Sequence, residues 1–467
     1  MKNMILSIRH RALTGLLLLM LCLFLFGELA FGLASRSSAP VQFPANFRWG
    51  AATSAHQVEG GNDKNDWYQW EKEGRTKQVS GKAADHYSRF EEDLDLARSI
   101  NHDSFRLSIE WSRIEPEQGK FSFSEIEHYR KVLVAARERG LKTFVTLHHF
   151  TNPLWVARAG GWENPRIRIW FGNFVDHVVP RLGDYVDYWI TINEPNVNAL
   201  TSYVVGVTPP GIKDPRKLAG VLSNFLKAHA VAYRRIHFYF PKAKVGFAHH
   251  VRAFTASRWW HPVDHLIRGW IADFWNHQFV RALQTGSIEF SIPFLVDYKE
   301  EWSRLKGTLD FIGVNYYTRD FIEFDLSAPQ KFLLRPAKTR EVSDLGWEIY
   351  PQGLYELLLE FGGYGRPLFI TENGIADARD SVRARFLCSH LREVAKAIQD
   401  GIDVRGYLHW SLIDNFEWIE GFAPRFGFIH VDYPTQKRTI RESGHLFAEI
   451  IRSNSLKACQ NVLAGGQ

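Results

Sequence analysis

Tyr188-Trp189-Ile190-Thr191-Ile192-Asn193-Glu194-Pro195 and Leu368-Phe369-Ile370-Thr371-Glu372-Asn373-Gly374 are built on the same plan. In each, a short apolar run rich in β-branched and aromatic residues reads as a buried strand. A glutamate stands at its C-terminal end, and Pro195 or Gly374 turns the chain away. Six more runs of this kind flank them, at residues 47–54, 104–109, 143–147, 244–248, 311–314 and 406–410. Amphipathic stretches such as 91–99, 124–139 and 381–399 lie between the runs. Eight strands, each followed by a helix, close a single (β/α)8 barrel of the α/β class, a TIM barrel. No Gly-rich phosphate turn follows the first run, so an open nucleotide-binding sheet has nothing to recommend it.

Barrel chemistry gathers at the C-terminal ends of the strands. Read in order, those ends carry Gln57, Arg106, His148-His149 and Asn193-Glu194, then Asn315-Tyr316-Tyr317, Glu372-Asn373, and Trp410 followed by Asp414, Glu417 and Trp418. Any one of these could be a turn or cap residue. Their coincidence at most strand ends is what marks a site. Carboxyls on the fourth and seventh strands can face each other across the mouth, the arrangement that glycoside hydrolysis needs: one acid protonates the leaving oxygen, and one carboxylate attacks the anomeric carbon.

These two segments resemble the acid/base and nucleophile signatures of glycoside hydrolase family 1, the β-glucosidase and β-galactosidase family. The likeness runs in order from Phe43-Pro44-Ala45-Asn46-Phe47-Arg48-Trp49-Gly50 to Val431-Asp432. Between them lie Gln57-Val58-Glu59-Gly60, Phe105-Arg106-Leu107-Ser108-Ile109, Asp310-Phe311-Ile312-Gly313-Val314-Asn315-Tyr316-Tyr317-Thr318, Trp410-Ser411-Leu412-Ile413-Asp414-Asn415-Phe416-Glu417-Trp418 and Arg425-Phe426-Gly427. The resemblance implies a retaining β-glycosidase acting on O-linked β-glucosides, β-galactosides or β-fucosides, with Glu372 as nucleophile and Glu194 as general acid/base. It implies that Gln57, His149, Asn193, Glu417 and Trp418 hold the sugar hydroxyls and that Trp410 lies beneath the ring. Tyr317 and Arg106 are expected to contact Glu372, with Asn315 supporting the nucleophile. Glu417 is expected to disfavour 6-phospho-sugars, and the intact Glu194 argues against a thioglucoside specialist.

The third strand departs from the family pattern, with Phe150 where most members carry Trp after the sugar-binding His. The form Thr146-Leu147-His148-His149-Phe150, with Gly160-Gly161-Trp162 beyond it, is similar to a branch that includes thermophile glycosidases. It also has some likeness to plant galactolipid-remodelling transferases. A membrane-associated transglycosylase acting on glycolipids is therefore the alternative reading, and a non-catalytic sugar- or receptor-binding barrel is a third. The aromatic stretches at 259–260 and 270–275 read equally as an aglycone wall or as a helix–barrel seam.

Lys2, Arg9 and Arg11 precede an uncharged apolar run from Ala12 to Gly27. Residues 1–34 thus read as a signal peptide or an uncleaved N-terminal membrane anchor, and either places the folded part on the non-cytoplasmic side. The glycosidase domain is expected at 43–453, with 454–467 as a C-terminal tail. The formal charge of +6 is partly the leader's, and no basic cluster interleaved with aromatics suggests nucleic acid. Sixteen Trp and thirty-four Phe suit a carbohydrate cleft but would also suit a large core. No metal or organic cofactor is implied. Cys22, Cys388 and Cys459 are too few for a disulfide framework. With Cys22 inside the leader, Cys388–Cys459 is the one pairing left, and nothing in its spacing recommends it.

Overall fold

The computed structural model describes residues 42–335 and 341–464, so the leader and Cys22 lie outside the described residues. Eight parallel strands form the barrel: β1 (Arg48–Ala52), β2 (Ser104–Ser108), β3 (Lys142–Thr146), β4 (Tyr188–Asn193), β5 (Val245–Ala256), β6 (Phe311–Phe324), β7 (Leu368–Asn373) and β8 (Val404–Trp410). They pair in sequence order, and β8 closes the ring on β1. Helices such as Phe123–Glu138, Ile167–Leu182, Leu218–Tyr239 and Arg383–Gln399 lie between the strands in sequence and bury apolar faces. Within the barrel, Phe144, Ile190, Ala248, Phe311, Phe369 and Leu408 pack into one cluster. The rings of Phe144 and Tyr188 stack 4.3 Å apart. Burial of this kind contributes about 25 cal/mol per Å² of apolar surface, and it fills the barrel so that chemistry is confined to its rim.

The eight sequence runs coincide with the eight strands, but two strands are much longer than expected. β5 and β6 continue past the barrel as a paired ribbon, with Ala253 opposite Arg319 and Ala256 opposite Ile322, after an irregularity beyond Val251. An antiparallel strand, Phe332–Arg335, adds to the edge of β6. The extensions interrupt apolar continuity with Arg252, Arg319, Asp320 and Glu323, so they do not read as buried strand in the sequence.

Residues 454–464, part of the segment expected as a tail, are built into the domain. Gln42 bridges to Ser455, and the Phe43 amide donates to the Asn454 carbonyl at 3.0 Å. The indole of Trp49 donates to Asn454 Oδ1 at 3.0 Å. Leu456–Cys459 forms a 3-10 turn and Gln460–Ala464 a short helix. Cys459 forms a disulfide with Cys388 on the helix Arg383–Gln399, closing a separation of 71 residues. A cross-link of that span should stabilise the domain by about 2–4 kcal/mol. Cys459→Ser is expected to lose that amount in urea unfolding, and reductant should bring the unaltered protein to the same midpoint. Equal midpoints with and without the cysteine would mean the bond contributes nothing.

Candidate active site

Every strand end named above reaches the mouth of the barrel, but not every side chain faces the opening. Gln57, His149, Asn193, Glu194, Tyr317, Glu372, Trp410, Glu417 and Trp418 line one cavity of about 280 Å³. Arg106 and Asn315 are fully buried and hold the carboxyl groups of that cavity. His148, Tyr316 and Asp414 are engaged elsewhere. His148 Nε2 meets Asn152 Oδ1 at 3.1 Å, the Tyr316 hydroxyl donates to the Tyr350 carbonyl at 2.6 Å, and Asp414 accepts from Arg441 and Arg425.

Glu372 ends β7 with both oxygens occupied. Arg106 Nη1 donates to Oε1 at 2.6 Å, and the Tyr317 hydroxyl donates to Oε2 at 2.7 Å. Arg106 also donates to the Thr371 carbonyl at 3.0 Å, to Asn193 Oδ1 at 2.6 Å and to Thr146 Oγ1 at 3.1 Å. One guanidinium on β2 thus ties the rim of β3, β4 and β7 together. Glu194 follows β4 as the N-cap of the helix Pro195–Leu200, with a left-handed backbone (φ 44°). Its amide donates to the Ala248 carbonyl at 2.8 Å, and its Oε1 accepts from Asn315 Nδ2 at 2.9 Å. Phe150 and Trp418 also have positive φ, at 71° and 54°. Such conformations cost of order 1–3 kcal/mol each, and here all three belong to residues that line the cavity.

Burial raises the Glu194 carboxyl to about 8, and the nearby Glu372 adds to the rise against Asn315, Arg106 and Arg252. Burial raises Glu372 as well, but Arg106, Tyr317 and Asn315 all oppose it. With more partners favouring its anion, Glu372 gives up its proton first, and that negative charge holds the proton on Glu194. Burial also lifts Glu417 to about 8, with Glu372 adding and Trp410, Asn415 and Gln57 opposing. Sequence alone treated Glu417 as a plain carboxylate. Its desolvation becomes visible only once the cavity closes around it. Burial and Arg106 keep His149 well below the ordinary histidine value, so it is neutral.

The remaining lining groups form a hydrogen-bonded and stacked frame. Gln57 Nε2 donates to Asn415 Oδ1 at 3.0 Å and to Glu417 Oε2 at 3.3 Å, and Trp410 Nε1 donates to Glu417 Oε1 at 3.2 Å. His149 lies roughly parallel to Trp410 and Trp418, with ring centroids 5.9 and 6.3 Å apart. Phe150 presents an edge to Trp418 at 5.3 Å, so its ring remains in the wall without an indole N–H. Sequence reading assigned no role to His250, Arg252, Trp347 or Phe426, which also line the cavity. Arg425-Phe426-Gly427 stood among the quoted motifs and was the one available signal for Phe426. Of the aromatic stretches left open, Trp275 lines the cavity and donates to His250 Nδ1 at 3.1 Å, whereas Trp259 and Trp260 are exposed.

The model of glycosyl hydrolase family 1 matches residues 39–456. Beta-glucosidase A of Thermotoga maritima is 33% identical over 446 aligned residues, which cover 89% of this chain and 99% of that protein. A beta-galactosidase of Pyrococcus woesei is 32% identical over 505, covering 89% and 98%. The solved beta-glycosidase from Pyrococcus horikoshii superposes with a TM-score of 0.84 at 37% identity, covering 91% of this chain and 98% of its own. The chain belongs to glycosyl hydrolase family 1. It is an O-glycosyl hydrolase built on a TIM barrel.

Gly374 shows how closely the rim is packed: a Cβ there would stand 1.8 Å from the Trp410 carbonyl oxygen. Gly374→Ala must therefore part the ends of β7 and β8, beside Glu372 and Trp410. The expected cost is about 1–3 kcal/mol of stability, with a clear fall in kcat/KM, measured by denaturant unfolding and steady-state hydrolysis. Unchanged values for both would show that this junction yields without consequence.

Proposed function

We propose that the enzyme hydrolyses β-linked glucosides and galactosides with retention, using Glu372 as nucleophile and Glu194 as acid/base. The observation that carries the assignment is the contrast between two buried carboxyls facing one cavity: Glu372 is held by a guanidinium and a phenol, while Glu194 has one amide donor. Arg106 and Tyr317 leave Glu372 charged and oriented for attack on the anomeric carbon. Glu194, still protonated, delivers its proton to the departing oxygen. Once the glycosyl–Glu372 ester has formed, Glu194 is the base that takes a proton from water as the water's oxygen attacks the same carbon.

Gln57, His149, Asn193, Glu417 and Trp418 suit the hydroxyls of the cleaved sugar, and Trp410 offers an apolar ring face. The names of the relatives, glucosidase and galactosidase, support a site that accepts both epimers at carbon 4. A 6-phosphate would meet the Glu417 carboxyl, which offers it no cation. The leader at 1–34 supports a domain on the non-cytoplasmic side, with membrane attachment if it is not cleaved. The Cys388–Cys459 bond is in keeping with an oxidising compartment. Alkylation of the unreduced protein from its native location should leave both thiols unlabelled, and labelling of either would argue for a reducing one.

Glu372→Gln is expected to lower kcat on 4-nitrophenyl β-glucoside by about 10⁴-fold or more. Glu194→Gln should cost far less on that substrate, because a good leaving group needs little protonation, and about 10²–10⁴-fold on an alkyl glucoside. Equal losses on both substrates would undo the division of roles.

The pH dependence has a definite sign. On the acid side, kcat/KM rises as Glu372 loses its proton, at a pH above the ordinary carboxylate range. On the alkaline side it falls as Glu194 loses its proton near 8. In Glu194→Gln the alkaline limb should vanish from a pH–rate profile. Its persistence would assign that limb to another group, Glu417 being the next in line.

A further inference from the structure

A second cavity, of about 150 Å³, lies beside the first and shares Leu200, Arg252 and Trp275 with it. Its walls are otherwise mostly apolar: Leu222, Phe254, Ile271, Phe274, Phe332 and Leu334. They come from the helix Leu218–Tyr239, the β5 extension, the helix Pro262–Ala272, the segment Asp273–Gln278 and the strand Phe332–Arg335. Leu334 is 50% exposed, so the cavity reaches the surface at that edge. The charged pair lining it is Arg252 and Asp320, joined at 2.6 Å from Nη1 to Oδ2. The Nε of Arg252 is buried and has no hydrogen-bond partner among the described residues. Arg252 also bears on Glu194 electrostatically, which places it on the acid/base side of the catalytic cavity.

We propose that this cavity receives an unbranched alkyl chain of the aglycone, entering past Arg252 and Trp275 from the glycosidic oxygen. The inference rests on the glycosidase reading and names the kind of leaving group that the same site takes. Three features select this occupant. Beyond Arg252, Asp320 and Asn196, the walls would leave the hydroxyls of a second sugar without partners, a costly burial. Apolar surface adjoining a binding site and open to water gains by being covered with methylene groups. Arg252, which lines both cavities and whose Nε has no partner among the described residues, marks the polar end of the passage between them.

The test is a series of methyl, butyl and octyl β-glucosides, kept below micellar concentration, with the full chain as enzyme. The three alcohols leave with similar ease, so differences in kcat/KM report on binding of the chain. Each buried methylene is worth roughly fourfold, so the octyl glucoside should exceed the methyl by at least about tenfold, and cellobiose should show no such gain. Two variants probe the walls: Leu334→Glu puts a charge at the exposed edge, and Leu222→Phe fills the interior. Either is expected to erase most of the octyl advantage while turnover of methyl β-glucoside is unchanged. A flat series in the unaltered enzyme would overturn the proposal, as would an octyl advantage that survives both variants. If 4-nitrophenyl β-glucoside is not hydrolysed in a Glu372-dependent way, the glycosidase reading itself fails, and this proposal with it.

Discussion

The guanidinium of Arg106 is fully buried at the top of the barrel, and the site is organised around the need to satisfy it. A buried cation is tolerable only beside an anion and with its remaining donors matched. Arg106 meets that demand with one oxygen of Glu372, the Thr371 carbonyl, Asn193 Oδ1 and Thr146 Oγ1. The consequence is geometric as well as electrostatic. The ends of β3, β4 and β7 are drawn to one point, and Glu372 is the carboxyl that bears the charge. Glu194 has Asn315 as its hydrogen-bond donor and, among the described residues, no ion pair, and buried next to that charge it keeps its proton. A single cation thus separates two chemically identical side chains into opposite roles.

Much of this was legible in the sequence, because a barrel converts linear order into position. An apolar run ending in glutamate is visible as a pattern, and the fold brings the fourth and seventh such ends to a common mouth. Less visible was anything set by tertiary closure. The raised value of Glu417 depends on burial. The bond between Cys388 and Cys459 joins a helix to the 3-10 turn Leu456–Cys459 across a separation with no pattern of its own. His250 and Arg252 escaped notice because β5 runs well past the barrel end, and a strand pattern judged by apolar continuity stops too early.

That extension adds Arg252 to the cavity lining. The barrel rim up to Glu417 and Trp418 follows the family motifs and supplies most of the cavity lining. Arg252 on the β5–β6 ribbon and Trp275 on the segment Asp273–Gln278 line both this cavity and the apolar one beside it, which the strand Phe332–Arg335 helps to wall. Phe150 belongs to the same tendency, with a ring retained at the cavity edge and a hydrogen-bond donor lost. On the proposal above, bond cleavage and the recognition of what leaves are carried by different parts of the chain.

The central claim is that Glu372 becomes covalently attached to the sugar. A 2-deoxy-2-fluoro β-glucoside with a good leaving group slows release of that intermediate, because fluorine destabilises the oxocarbenium-like transition state. Intact-mass measurement followed by peptide sequencing should find one fluoroglucosyl group per chain, on the peptide containing Glu372 and at that residue. A label on Glu194, or turnover with no adduct at all, would contradict the account.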